Sequence, residues 1–366
     1  MKMYSIEPRD SSLFRDARPF EGNAGAVSMA APWPSTVAGL FRTLQGLDAN
    51  GKWTGNADEA RKLAVSGPWL VQLNDNGDVV DHFVPAPMDA VFFSEKEPPF
   101  SKKEKLTRRQ LAPRAEFSAS LSDLPAGLTP VAFANTDNPG KAGSGPAWWR
   151  WSAMMEWLET AEHPNKDIEF KQIGLAPLLD EDRVHVAIDP ATGTADDGKL
   201  FATSMRRFVV RNDGGTLTRY ALAAMSNCPV QDHVLTPFGG ERRLATIRAA
   251  GEAPKAPNVD GAKRLRVTLV TPAIFIEGWR PNSDHLGQGR LVGAIIGRPQ
   301  SVSGWDYANG GPKPARRMVQ AGAVYWLDFE STELAKKWAD EHHLKSICDN
   351  EQDRLDGFGL ILVGRG

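Results

Sequence analysis

Apolar and polar positions alternate most cleanly near the middle of the chain. Val184, Val186 and Ile188 are separated by His185 and Ala187 and followed by Asp189, the period of two that marks a half-buried strand. Pro190, Gly193, Asp196, Asp197 and Gly198 then interrupt the pattern with turn chemistry. Apolar residues resume at Leu200 and Phe201 and run through Phe208, Val209 and Val210. The pattern predicts a projecting hairpin over 183–211. Its tip holds Thr192, Gly193, Thr194, Ala195 and Asp196, and its returning strand carries Arg206, Arg207 and Arg211. A basic root suits a charged, elongated partner, although the same pattern fits an ordinary surface hairpin.

The flanking segments mix strands with helices. Residues 1–8 read as a first strand and 11–25 as a polar loop containing Arg15 and Arg18. Over 31–47, Val37, Leu40, Phe41, Leu44 and Leu47 fall at helical spacing. Pro34 opens that helix, and Ser35 or Thr36 is placed to cap it. Arg42 lies off the apolar face. A short helical piece fits 52–64, and strands at 68–74 and 79–84 flank the turn sequence Asn74-Asp75-Asn76-Gly77. The cation-rich stretch 100–114 reads as an exposed insertion, 135–146 as a loop, and 148–158 as a tryptophan-rich helix that is buried or faces a partner. Further strands are expected at 219–225, 263–276, 290–296, 323–329 and 359–363, with a helix at 332–342. Linker composition over 249–261 sets a boundary between an N-terminal domain, 1–250, and a C-terminal domain, 260–366. The class is α+β, with open sheets covered by helices on one side.

A chain of 366 residues has room for about two domains. Its net charge of -2 gives no general affinity for nucleic acid. The distribution is more informative, because 199–317 holds 18 Lys and Arg against 8 Asp and Glu, whereas 318–366 holds 5 against 9. A basic stretch between acidic flanks can form a positive face. Cys228 and Cys348 stand far apart without CxxC spacing, which argues against a disulfide framework or a zinc site. The opening MKMYSIEPRD lacks the apolar core of a signal peptide, and no stretch approaches 18 apolar residues. The expectation is a cytoplasmic protein without a membrane segment.

Walker, HExxH, GxSxG and GxGxxG motifs are absent, and no cofactor or metal is expected. His342 and His343 beside Glu341 lack a second ligand cluster. His185 is either an acid or base for RNA cleavage or a strand histidine with a structural hydrogen bond. Asp189, Asp196 and Asp197 read as Mg2+ ligands or, more economically, as turn residues. The PFGGERR stretch stands out. Gly239 and Gly240 permit close backbone approach to a phosphate, and Arg242 and Arg243 supply guanidinium groups that hold phosphate or stack on bases. Trp279 and Arg280 in GWRP repeat the combination of glycine, ring and cation. Such groupings suit single-stranded RNA.

Several stretches together resemble one family. They are EPRDSSLFRDARPF, PSTVAGLFRT, GPWLVQ, VPAPMD, RVHVAIDPATGTADDGKLF, FGGERRLA, LVTPAIFIEGW, AGAVYWLDF and the terminal GFGLILVGRG. In this order they resemble the repeat-tag-binding RAMP subunit, the third Cmr subunit, of type III-B CRISPR effector complexes. Residues 102–114 and 135–147 match nothing in that pattern. The resemblance implies two ferredoxin-like (RRM-like) domains with long loop insertions and the hairpin as a thumb. It implies that the chain caps the 5′ repeat-derived tag of the CRISPR RNA. The implied protein partners are the large polymerase-like subunit and a backbone subunit, and the thumb would lie near target RNA at the tag–guide junction. The candidate RNA-binding residues are then Arg42, Arg206, Arg207, Gly239, Gly240, Arg242, Arg243, Trp279 and Arg280, with no catalytic residue. The alternatives are a metal-independent RNase that processes CRISPR RNA through His185, and a structural protein that docks a partner through its tryptophan-rich helix.

Overall fold

Strand Lys2–Pro8 buries Met3, Tyr4, Ser5 and Ile6 in succession, so both of its faces are covered. A run of this kind belongs in the middle of a sheet. In the computed structural model, which describes residues 1–15, 26–48, 50–94, 105–117, 123–134, 140–211, 214–306 and 310–366, it lies between Leu217–Ser226 and Leu244–Ala249. The fold is mixed α+β, dominated by strands in several mainly antiparallel sheets. The chain divides into two units, each gathered from three stretches. The first comprises 1–80, 178–252 and 301–317, and the second 81–177, 253–300 and 318–366.

In the first unit the sheet order is Val65–Leu73, Leu217–Ser226, Lys2–Pro8, Leu244–Ala249, Val234–Pro237. Helix Pro34–Gly46 buries Val37, Ala38, Leu40 and Phe41, and the rings of Phe41 and Tyr4 meet at 5.5 Å. The predicted cap is corrected. Trp33 occupies the cap position without a side-chain bond, because Pro34, which has no N–H, already fills the first helical position. The short helix Ala57–Arg61 is capped by Asn56, whose side chain accepts from Asp58 and Glu59.

The predicted hairpin is present but differs in bounds and orientation. Its strands are Asp180–Ile188 and Ala195–Arg206. Residues 208–211 do not extend it: Phe208 is buried and Val209–Arg211 pairs with Leu217–Ser226. The apolar alternation was expected to mark the inner face, yet Val184 is 73 % exposed and Val186 and Ile188 also face outward. The polar set, Glu181, Arg183 and His185, turns inward because it has partners there. Arg183 donates to Glu181 at 2.6 Å, and His185 stacks on Phe201 and lies 3.0 Å from the Thr203 hydroxyl.

The second unit contains a sheet ordered Arg290–Ile295, Val324–Asp328, Arg264–Leu269, Ile361–Arg365. Helix Thr332–His342 is capped by Ser331 and buries Ala335, Trp338 and Ala339. Two sequence expectations are corrected here. The described part of the supposed exposed insertion is strand Lys105–Pro113, which pairs with Ala90–Phe93, Val131–Phe133 and Lys166–Glu169. Its residues alternate in burial and place Arg108 inside. The tryptophan-rich segment opens as strand Trp148–Arg150 and becomes helical only over Trp151–Glu159. Residues 16–25, 100–104 and 135–139, parts of the predicted loop at 11–25, the predicted insertion at 100–114 and the predicted loop at 135–146, lie outside the described residues.

Trp157 is the hub of this unit. Its Nε1 donates to Asp89 at 3.0 Å, and the Arg108 and Arg266 guanidinium groups lie 4.6 and 5.1 Å from its ring. His163 stacks on it at 4.0 Å. Arg266 and Asp89, both fully buried, form an ion pair at 2.9 Å, and Arg266 also donates to the carbonyls of Trp157 and Thr160. Burial pushes the Asp89 carboxyl upward, and the opposing charge of Arg266 works against that shift.

Removing one partner leaves the other charge buried and unmatched. Asp89→Ala is therefore expected to lower unfolding free energy in urea by about 3–5 kcal/mol. A double change to Asp89→Leu and Arg266→Met should lose markedly less. A second expectation concerns acid. Burial holds His163 and His343 down to about 4, below the ordinary value of 6.5. The unfolded chain then binds more protons between those values, so stability is complete above about 6.5 and falls as pH drops toward 4. Thermal unfolding followed across that range should show the decline, and it should flatten in a His163→Gln, His343→Gln variant.

Candidate nucleic-acid interface

The chain leaves strand Lys2–Pro8 and crosses the root of the hairpin. Arg9 N–H donates to Leu244 O at 2.9 Å, and Ser12 and Arg206 exchange backbone hydrogen bonds of 2.9 and 2.8 Å. Leu13, Ala26 and Met205 pack into a small apolar cluster beneath. Arg206 is the anchor of this root. Its guanidinium pairs with Asp180 at 2.9 Å and donates to the carbonyls of Leu178 and Met29, and the residue is only 7 % exposed.

The 237–243 turn packs on the same crossing. Phe238 meets Phe14 edge to face at 5.2 Å, and Gly240 N–H donates to Leu13 O at 2.8 Å. Gly239 has φ 84°, and a Cβ there would stand 2.9 Å from Leu13 O. Its freedom from a side chain thus serves close approach of the protein's own backbone. Glu241 and Arg242 follow with φ 58° and 49°, a left-handed conformation that non-glycine residues adopt at a cost. Arg242 is thereby raised onto the exposed crest, with no ion-pair partner among the described residues.

Arg243 turns the other way and donates to Asp10 Oδ2 at 2.8 Å. Arg183 reaches the same carboxylate oxygen at 3.5 Å, and Arg207 lies 3.9 Å from Glu181. Desolvation alone would raise the Asp10 carboxyl, but the Ser11 N–H and the charges of Arg183 and Arg243 outweigh it and hold the group below its usual range. The result is a rim in which Arg183, Arg207 and Arg243 are organised around two carboxylates, Asp10 and Glu181, and Arg242 stands unpaired beside them among the described residues. Sequence reasoning missed Asp10, Glu181 and Arg183. No local period links them, because Asp10 and Arg183 meet across more than 170 positions of chain.

The other candidates make contacts of their own. Arg42 donates to the carbonyls of Arg61 and Leu63 at 3.2 and 2.9 Å and ties helix Pro34–Gly46 to the segment after Ala57–Arg61. At the hairpin tip, Asp189 accepts from Ala191 N–H and the Thr192 hydroxyl, the Thr192 and Thr194 hydroxyls meet at 2.8 Å, Gly193 has φ 69°, and Asp196 pairs with Lys199 at 2.5 Å. Ala195 begins the returning strand. Trp279 and Arg280 belong to the second unit, where Trp279 O accepts from Tyr325 and exposed Arg280 borders a cavity of about 310 Å³. Trp149 and Trp157 are wholly buried. His342 stacks on Trp338, and His343 meets Trp151 edge to face. Burial pushes the Cys228 thiol up to about 11 and the Cys348 thiol up to about 12, away from reactive thiolate. Among the described residues no group of three or more His, Cys, Asp or Glu side chains is placed to hold a metal ion. No described helix is long and apolar enough to cross a membrane.

A basic rim beside a hairpin, carried on a mixed α+β fold, makes a candidate polyanion-binding surface. The family model for CRISPR-associated protein (Cas_Cmr3) matches residues 4–366, and the chain belongs to that family. It is a Cmr-type CRISPR effector subunit. No curated protein matches the sequence. Among solved structures, similarity extends to a chain of the type III-B Cmr-beta complex bound to cognate target RNA and AMPPnP, in state 1, with 14% identity, TM-score 0.46, and coverage of 93% of this chain and 89% of that one. A chain of Cmr-beta bound to cognate target RNA is similar at 15% identity, TM-score 0.47, and 98% and 96% coverage.

The packing of the turn makes one expectation concrete. Gly239→Ala forces a side chain into left-handed backbone against Leu13 O. It should lower unfolding free energy by about 1–3 kcal/mol, measured by urea titration.

Proposed function

We propose that the chain is a non-catalytic RNA-binding subunit of a Cmr effector complex that caps the 5′ repeat-derived tag of CRISPR RNA. In the same reading it bridges the large polymerase-like subunit to the backbone filament, and the hairpin acts sterically near target RNA at the tag–guide junction. The observation that carries the RNA contact is Arg242 on the crest of the strained 239–243 turn, exposed and without an ion-pair partner among the described residues. Arg207 and Arg243 extend the cationic rim. Arg42 and Arg206, held by carbonyls, act as positioning residues. Gly239 and Gly240 set the turn. Trp279 and Arg280 offer a further ring and cation on the second unit.

Two ferredoxin-like cores form part of this reading. In each unit four strands, counted along the chain, stand in the sheet order second, third, first, fourth. Those of the first unit fall within 1–250 and those of the second within 260–366. That order supports a ferredoxin-like arrangement. The absence of catalysis is supported by the setting of His185, whose ring is stacked on Phe201 and bonded to Thr203.

A filter-binding titration with RNA carrying the repeat tag tests the reading. Arg242→Glu combined with Arg207→Glu should weaken binding about tenfold or more and reduce the salt dependence by about one to two phosphate contacts. Unchanged affinity and slope would remove the rim from the RNA path. Repeat RNA incubated with the protein in EDTA should stay intact. Site-specific cutting abolished by His185→Ala would instead establish the RNase alternative.

A further inference from the structure

The hairpin carries an outward apolar stripe separate from the arginine rim. Residues facing one another across an antiparallel pair share a face. Val184 lies opposite Ala202, and Val186 opposite Leu200. On the neighbouring strand, Ser204 pairs with Val27. Leu200 is 58 % exposed, Ile188 55 % and Val27 52 %. Val184, Ala202, Val186 and Leu200 therefore make an apolar band that runs toward exposed Ile188 near the tip, while at the root the polar Ser204 and Asp182 share the row of Val27. Contiguous apolar surface of this kind marks an interaction site.

Charge decides what covers it. The hairpin from 180 to 206 holds six acidic side chains against three Lys and Arg, the reverse of the basic stretch in which it sits. Asp182, on the face of Val184, and Asp197, near the tip, are exposed and have no ion-pair partner among the described residues. Asp189 adds a partly exposed carboxylate at the tip end, whereas Asp196 is paired with Lys199. An RNA backbone brought to this band would meet carboxylates at both ends and find no cation on the band itself. A second copy of the chain would oppose acid with acid. A protein surface with an apolar centre and a Lys or Arg rim satisfies both features.

We infer that the outer face of the hairpin is a protein-docking surface, and that its occupant is another subunit presenting an apolar patch flanked by basic side chains. Hairpin and rim then divide their work. The rim at Arg242 meets polyanion, and the band at Val184, Val186 and Leu200 meets protein. The inference does not depend on which RNA the rim holds.

The test uses the full chain inside the effector complex purified from cells. A photoreactive p-benzoylphenylalanine replaces Val186, and the cross-linked species is digested with RNase and mapped by mass spectrometry. The expected product is a cross-link to a different protein subunit, resistant to RNase, at a peptide combining apolar residues with Lys or Arg. A cross-link to RNA, to a second copy of the chain, to an acidic peptide, or no cross-link at all overturns the inference. Val184→Glu with Leu200→Glu, both at exposed sites, provides the second measurement. It should reduce recovery of the chain in the complex about tenfold, the equivalent of about 1.4 kcal/mol, while tag-RNA affinity of the isolated chain is unchanged. Normal recovery in the complex also overturns it. The Arg242→Glu, Arg207→Glu variant gives the opposite pattern if the RNA reading is correct, so the two proposals fail separately.

Discussion

A guanidinium removed from water has to be satisfied by the protein itself, and that requirement shapes both units. In the second, Arg266 lies fully buried against Asp89, with Trp157 sharing the carboxylate and the carbonyls of Trp157 and Thr160 taking further donors. Arg108 is also buried and rests over the same indole, its guanidinium 4.6 Å from the ring centroid. One tryptophan thus joins strand Lys105–Pro113, helix Trp151–Glu159 and strand Arg264–Leu269. The desolvation cost of these charges makes each partner necessary, because losing one leaves the other buried and unmatched.

The first unit solves the same problem differently. Arg206 is buried at the hairpin root and uses backbone carbonyls and Asp180. Arg219 pairs with Glu7, and Arg243 with Asp10. Much of the cationic excess between 199 and 317 is therefore consumed inside the fold. What remains outside is selective. The strained left-handed pair Glu241–Arg242 lifts one arginine clear of the carboxylates that hold its neighbour. Local backbone cost is a common accompaniment of functional placement.

The hairpin separates two kinds of surface that are adjacent in sequence. Its inner face is polar because Arg183, Glu181 and His185 find partners there. Its outer face is apolar and rimmed by acid. A period-two pattern alone fixes that the two faces differ, not which of them points inward. In this hairpin the chain's own core leaves the valines uncovered.

Elements with a strong local signal were legible in the sequence. Strand Lys2–Pro8, helix Pro34–Gly46, helix Thr332–His342 and the existence of the hairpin follow from apolar spacing and turn residues that act over a few positions. The PFGGERR turn was legible for the same reason, since paired glycines and arginines are local chemistry. Tertiary structure alone decided the rest. It buried Arg108 in a stretch that reads as a charged insertion, turned Trp148–Arg150 into a strand, and set Asp10 beside Arg183 and Arg243. It also turned the hairpin's valines outward. The physical reason is common to all four. Whether a charge is satisfied, or an apolar side chain covered, depends on partners distant in the chain, and no local pattern records them.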